Sequence, residues 1–191
     1  MSTRRDIFSV SIKRFVSLMF VCTLISGCAV FSKGKEKPKG NMEDVAVIET
    51  DRGTIVFKLY PQDAPKTVEN FEKLANEKFY DGLTFHRVEK MPRPFVIQGG
   101  DPNGDGTGGP GYTIPDEFNA RSHLEGTVAM AHTNEPGSAG SQFYICLTAA
   151  PYLDGKYTVF GQVIEGFDVI HRIEKGDIMK NVRIEKREVP L

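Results

Sequence analysis

The chain has 191 residues, 40% of them hydrophobic and 26% charged, with a formal net charge of -1. That suffices for one globular domain with short extensions, and without a basic excess it offers no footprint for nucleic acid. Of the three cysteines two fall within the first 28 residues, so Cys146 has no disulfide partner in the rest of the chain.

Taken in chain order, residues 1–27 read as a secretory signal. Arg4, Arg5, Lys13 and Arg14 stand against Asp6 alone, and an uncharged apolar run follows from Phe15 to Ser26. That run is well short of the roughly 20 residues a membrane span needs. It ends in Ile25-Ser26-Gly27-Cys28, which resembles the lipobox of bacterial lipoproteins. The resemblance implies that Cys28 is diacylated on sulfur and becomes the new N-terminus. A plain signal peptide, or an uncleaved anchor with a chance Cys, is the alternative. Two or more acyl chains anchor a protein stably where one does not. Residues 28–43, with Lys33, Lys35, Lys37, Pro38, Lys39 and Gly40, read as a solvated tether.

The folded domain is expected over residues 44–191. Val45–Ile48 and Thr54–Leu59 read as strands around an Asp51-Arg52-Gly53 turn. A helix follows Pro61, with Asp63 as N-cap, Pro65 in the first turn, and Val68, Phe71 and Leu74 or Ala75 as its apolar stripe. Strands are expected at Phe85–Val88, Phe95–Gln98, Thr127–Ala131, Gln142–Leu147, Thr158–Val163 and Val182–Val189. Phe167, Ile170 and Ile173 mark a second short helix. Many short strands, Gly/Pro turns and two helices predict a mainly β fold, either sandwich or barrel.

Several patterns fail as sites. Gly104–Gly109 fits GxGxxG, but Pro110, Gly111 and Pro115 follow and no helix can open there, which argues against a dinucleotide. Asp101, Asn103, Asp105 and Gly106 begin like a calcium loop, yet Tyr112 stands where a bidentate Glu belongs. The bland reading is a tight surface loop in which Gly supplies unusual backbone angles. His86, His123, His132 and His171 make no metal-ligand spacing with one another or with Cys. Ser138 and Ser141 lack the setting of a nucleophile elbow. Cys146 sits in the apolar run Phe143–Leu147 and reads as an inert core thiol.

The informative strings are Phe85-His86-Arg87-Val88, then Phe95-Val96-Ile97-Gln98-Gly99-Gly100-Asp101, Met130-Ala131, Gly140-Ser141-Gln142-Phe143-Tyr144-Ile145, Leu153-Asp154-Gly155-Lys156 and Val159-Phe160-Gly161. In this order they resemble the cyclophilin family of peptidyl-prolyl isomerases, over about Val45 to Ile173. The resemblance implies a closed eight-stranded antiparallel β-barrel capped by two α-helices. It also implies cis/trans isomerisation of Xaa-Pro bonds in Pro-containing polypeptides, with no cofactor and no metal. Arg87 would be the catalytic residue, and Phe95, Val96, Tyr144 and Leu153 would line the proline slot. Gln98 would hold Arg87 and the substrate backbone, while Ala131, His132 and Gln142 would flank the groove for preceding residues. Tyr152 and Tyr157 would complete the groove wall.

The chain departs from the family's frequent choices at Val96, His132, Tyr144, Tyr152 and Tyr157, where Met, Asn, Phe, Trp and His are common. Tyr152 lacks the indole donor that the resemblance links to cyclosporin, which implies weak drug affinity. The link Glu89–Pro94 is longer than usual and reshapes the rim beside Phe95. His86 reads as a packed or solvated His before a substrate contact. The whole chain is expected to act as a monomer on exported proteins, lipid-anchored in the bacterial cell envelope. A non-catalytic module gripping proline segments, or an inert envelope spacer, would use the same fold.

Overall fold

The computed structural model describes residues 40–189; the signal segment, Cys28 and all but the end of the tether lie outside the described residues. Eight strands form one antiparallel sheet. In chain order they are β1 (Asn41–Thr50), β2 (Gly53–Leu59), β3 (Arg87–Glu89), β4 (Val96–Gly99), β5 (Thr127–Met130), β6 (Phe143–Cys146), β7 (Val159–Glu165) and β8 (Asn181–Val189). Two helices, α1 (Pro65–Asn76) and α2 (Phe167–Arg172), and a 3-10 turn at Pro151–Leu153 complete the fold. The hydrogen-bonded order is β3-β4-β6-β5-β7-β2-β1-β8. No ladder joins β3 to β8 directly. The segments leading into them meet at a Thr84–Ile178 bridge, where Gly82 and Phe85 N–H donate to the carbonyls of Met179 and Asp177.

β1 starts at Asn41, three residues before the expected domain boundary, because Asn41 to Asp44 pair with Val189 to Lys186 at the far end of the chain. A pairing at that separation leaves no local trace in sequence. The turn between β1 and β2 is tied by Thr50, whose hydroxyl donates to the Gly53 carbonyl and accepts from Arg52 N–H.

Alternation along the strands sorts side chains to two faces. Phe57, Ile97, Val128, Met130, Phe143 and Ile145 face the main core, where α1 adds Val68, Phe71 and Leu74 and α2 adds Val169 and Ile170. Phe71 lies at its centre, stacked on Tyr80 at 5.0 Å and edge-on to Phe57 and Phe143 at 5.5 and 5.7 Å. The opposite face carries a smaller cluster of Val96, Ala129, Tyr144, Cys146 and Val159. Cys146 is fully buried there, and burial pushes its thiol up to about 12, so it is inert at neutral pH.

The N-terminus of α1 corrects one expectation. Ala64, not Asp63, occupies the cap position and has no side-chain cap. Asp63 pairs instead with Arg121. The orphan N–H groups of Lys66 and Thr67 donate to Glu117 from a distant loop, at 3.1 and 2.8 Å. A carboxylate at a helix N-terminus does the cap's work wherever it comes from in the chain.

Candidate active site

The smaller cluster floors a notch of about 260 Å³ on the face of the sheet away from the main core. Sheet register assembles it: Arg87 of β3 stands opposite Gln98 of β4, and Gln98 opposite Tyr144 of β6. Val96 and Gln98 share this face by the two-residue period, and Ile97 between them faces the core. Phe95, Ala131, His132, Leu153 and Tyr157 form the remaining walls.

Arg87 stands at the rim with 46% of its side chain exposed. Its Nε donates to Glu89 Oε1 at 3.3 Å and its Nη1 to Gln98 Oε1 at 3.1 Å, and the guanidinium lies 5.9 Å from the Phe95 ring centre. Among the described residues Nη2 makes no hydrogen bond. Gln98 Nε2 donates to Gln142 Oε1 at 2.9 Å, and Gln142 Nε2 donates to the carbonyls of Gly106 and Gly108 at 3.0 and 2.9 Å. A chain of amides therefore runs from the glycine-rich loop to the cation. Gln142 itself lies in an adjoining groove of about 430 Å³, beside Gly106–Thr113, rather than in the notch.

That loop is organised by Asp101. Its carboxylate is buried and accepts from the backbone N–H groups of Asn103, Asp105 and Gly106. A side chain at Gly108 would place Cβ 2.2 Å from Asp101 Oδ1, so only glycine lets the loop close around the carboxylate. Asp101 thus spends its oxygens on backbone donors. Among the described residues no group of three or more His, Cys, Asp or Glu side chains is placed to hold a metal ion.

Aromatic rings build the rest of the wall. Tyr152 is 60% exposed and stacks on Phe95 at 5.9 Å, so it extends the rim rather than lining the notch. Tyr157 stacks on His132 at 4.4 Å and stands edge-on to Tyr144 at 5.6 Å. The His132 ring nitrogens lie 2.6 and 2.9 Å from the carbonyl oxygens of Thr133 and Lys156. His86 is buried outside the notch, and among the described residues neither of its ring nitrogens has a hydrogen-bond partner.

One contact of the site escapes a reading of motifs. His123 is buried behind Tyr144 with Nε2 2.9 Å from the phenol oxygen, and its Nδ1 meets Asp154 Oδ1 at 2.9 Å. The backbone and side-chain hydrogen bonds from His123 hold the Asp154 carboxyl below its usual range. Burial pushes the Tyr144 phenol well above its own. Nothing local marks this pair, because its members are 31 residues apart and the contact is made only by folding.

Residues 45–189 match the family model described as cyclophilin type peptidyl-prolyl cis-trans isomerase/CLD. The chain is 53% identical over 137 residues to peptidyl-prolyl cis-trans isomerase B of Bacillus subtilis (strain 168), covering 71% of this chain and 93% of that one. It is 50% identical over 141 residues to a peptidyl-prolyl cis-trans isomerase of Synechococcus elongatus, covering 73% and 94%. Among solved structures it is similar to a Cryptosporidium parvum cyclophilin type peptidyl-prolyl cis-trans isomerase crystallised in the presence of the dipeptide Ala-Pro. That match has TM-score 0.69 and 31% identity, over 75% of this chain and 99% of that one.

Proposed function

The chain belongs to the cyclophilin-type peptidyl-prolyl cis-trans isomerase family and is a peptidyl-prolyl cis-trans isomerase, and from that premise we propose that it rotates Xaa-Pro bonds of exported polypeptides in the notch beside Arg87. The observation that carries this site assignment is an exposed cation, fixed at two points, on the rim of an open recess of about 260 Å³ that Phe95, Val96 and Leu153 help to line.

Rotation about Xaa-Pro breaks no bond, so it requires no nucleophile. The barrier of about 18–20 kcal/mol arises because the imide nitrogen's lone pair is delocalised into the carbonyl. In the twisted state that lone pair localises, and the nitrogen accepts a hydrogen bond it could not accept when planar. A donor that acts only then lowers the barrier without tightening ground-state binding. A gain of about 10⁵ in rate requires about 7 kcal/mol of such preference. Arg87 supplies the donor from a permanently charged fork. Glu89 and Gln98 fix its plane, leaving Nη2 for the substrate. Val96, Phe95, Leu153 and Tyr144 grip the proline ring while the preceding carbonyl turns. Gln142 and the adjoining groove take residues before proline, and Tyr152 extends the rim.

The same reading takes the sheet as a barrel closed where Thr84 meets Ile178. It takes residues 1–27 as signal and Cys28 as lipidated, with a tether that ends where β1 begins at Asn41 and the isomerase domain following. One chain supplies every lining residue, which is all a monomer needs. The lipobox-like Ile25-Ser26-Gly27-Cys28 supports an anchored enzyme facing outside the cytoplasm.

A protease-coupled assay on a Pro-containing peptide tests the activity: the wild-type chain is expected to accelerate cis-to-trans exchange. An uncatalysed rate with retained peptide binding would instead make it a holdase, and an uncatalysed rate without binding a spacer. Mass spectrometry of the mature N-terminus tests the anchor. A diacylated Cys28 is expected, and an intact Met1 or unmodified Cys28 contradicts it.

A further inference from the structure

We propose that His123 is a positioning residue for the proline notch, holding the Tyr144 ring and the Leu153 turn in register from behind. The inference deepens the isomerase reading and rests on it. His123 touches no substrate; it is 1% exposed and lies beneath the wall that Tyr144 presents.

The hydrogen-bond roles follow from the partners. Asp154 Oδ1 accepts twice, from His123 backbone N–H at 2.7 Å and from its ring Nδ1 at 2.9 Å. In the tautomer whose Nδ1 donates to the Asp154 carboxylate, Nε2 carries no hydrogen and is an acceptor. The only hydrogen the Tyr144 phenol owns is therefore directed at His123, across 2.9 Å. The planes of the two rings lie within 16° of parallel, and Tyr157 stands edge-on to both. The polar end of Tyr144 is thus spent inward, and the notch receives hydrocarbon.

The backbone of the same residue holds the second wall. The His123 carbonyl accepts from Ala150 N–H at 2.8 Å, and the Ala150 carbonyl accepts from Leu153 N–H at 3.0 Å. Asp154, which closes that turn, is the carboxylate already bound by His123. Tyr144 and Leu153 come from β6 and from the turn after it, and one residue of a separate segment references both.

Loss of the acceptor leaves a buried hydroxyl unpaired, which is costlier than removing both partners together. The open space that the ring lines is the notch, so a phenol seeking water tilts toward it and spoils the fit to a proline ring. A side chain that served packing alone would alter stability without altering substrate affinity.

The test is a cycle of His123→Phe, Tyr144→Phe and the double variant in the full chain, with kcat and KM measured on a Pro-containing peptide beside thermal melting. His123→Phe is expected to raise KM roughly five- to thirtyfold, the scale of one buried hydroxyl left unpaired, with a smaller change in kcat. Adding Tyr144→Phe is expected to recover most of that loss. An unchanged KM in folded His123→Phe, or a double variant no better than it, overturns the proposal. If His123→Phe does not fold, Tyr144→Phe and the double variant decide: equal KM supports action through the phenol, and a raised KM in the double refutes it. An inactive wild type would defeat the isomerase reading itself, whereas an active wild type with a silent cycle defeats only the positioning role.

Discussion

Arg87, Gln98 and Gln142 form one hydrogen-bonded row, yet they lie in three separate strings of the sequence. The strings identify the members, and the two-residue strand period places Val96 and Gln98 on one face. What no string contains is His123 bonded to Asp154, since a buried polar contact between distant loops has no period and no fixed spacing. His86 is a second residue whose state only the fold decides. Burial is the main cause that lowers its pKa from the ordinary 6.5, with the charge of Arg87 adding to it and Asp101 and Asp105 opposing. The folded chain therefore keeps His86 neutral, and the unfolded chain binds the extra proton. Stability linked to His86 is whole above 6.5 and is lost as pH falls below it toward the depressed folded value. Urea midpoints measured from about pH 7.5 to about pH 5.5 should fall less steeply in His86→Leu than in wild type; parallel slopes would contradict this.

The strands and helices were legible as types and misplaced at their ends. β6 spans Phe143–Cys146 and β7 runs on to Glu165, against expectations of Gln142–Leu147 and Thr158–Val163. Ends are set by which partner strand is present, and that is a property of the sheet. The cap of α1 is the sharper case. Asp63 has the right residue type at nearly the right place, but its carboxylate is drawn to Arg121, and Glu117 takes over the first-turn N–H groups. Local preference for a capping Asp is worth about 1 kcal/mol, small enough for an ion pair and a distant carboxylate to override. For α2 the cap is Gly166 at φ +89°, where a Cβ would lie 2.4 Å from the Thr54 carbonyl, so the sheet beneath dictates glycine.

At the scale of the molecule, one sheet carries the main core on one face and an open notch on the other. Stability rests on the aromatic cluster around Phe71, where truncation to Ala costs about 3–5 kcal/mol. The exposed pairs, such as Lys186 with Asp44, add about 0–1 kcal/mol each. The notch can therefore keep an open recess and an exposed cation without weakening the core beneath it. Beyond the β1–β2 turn the order in which strands pair was not readable, because β1 also joins β8 across most of the domain. The role proposed for Arg87 is to favour the twisted imide over the planar one. Exchange NMR on a Pro-containing peptide, with wild type and Arg87→Ala compared at matched saturation, tests it most directly. The variant is expected to bind the peptide nearly as wild type does while its exchange rate on the protein falls by about 10² or more, the loss of about 3 kcal/mol of transition-state preference. Exchange as fast as wild type on the bound variant would contradict it.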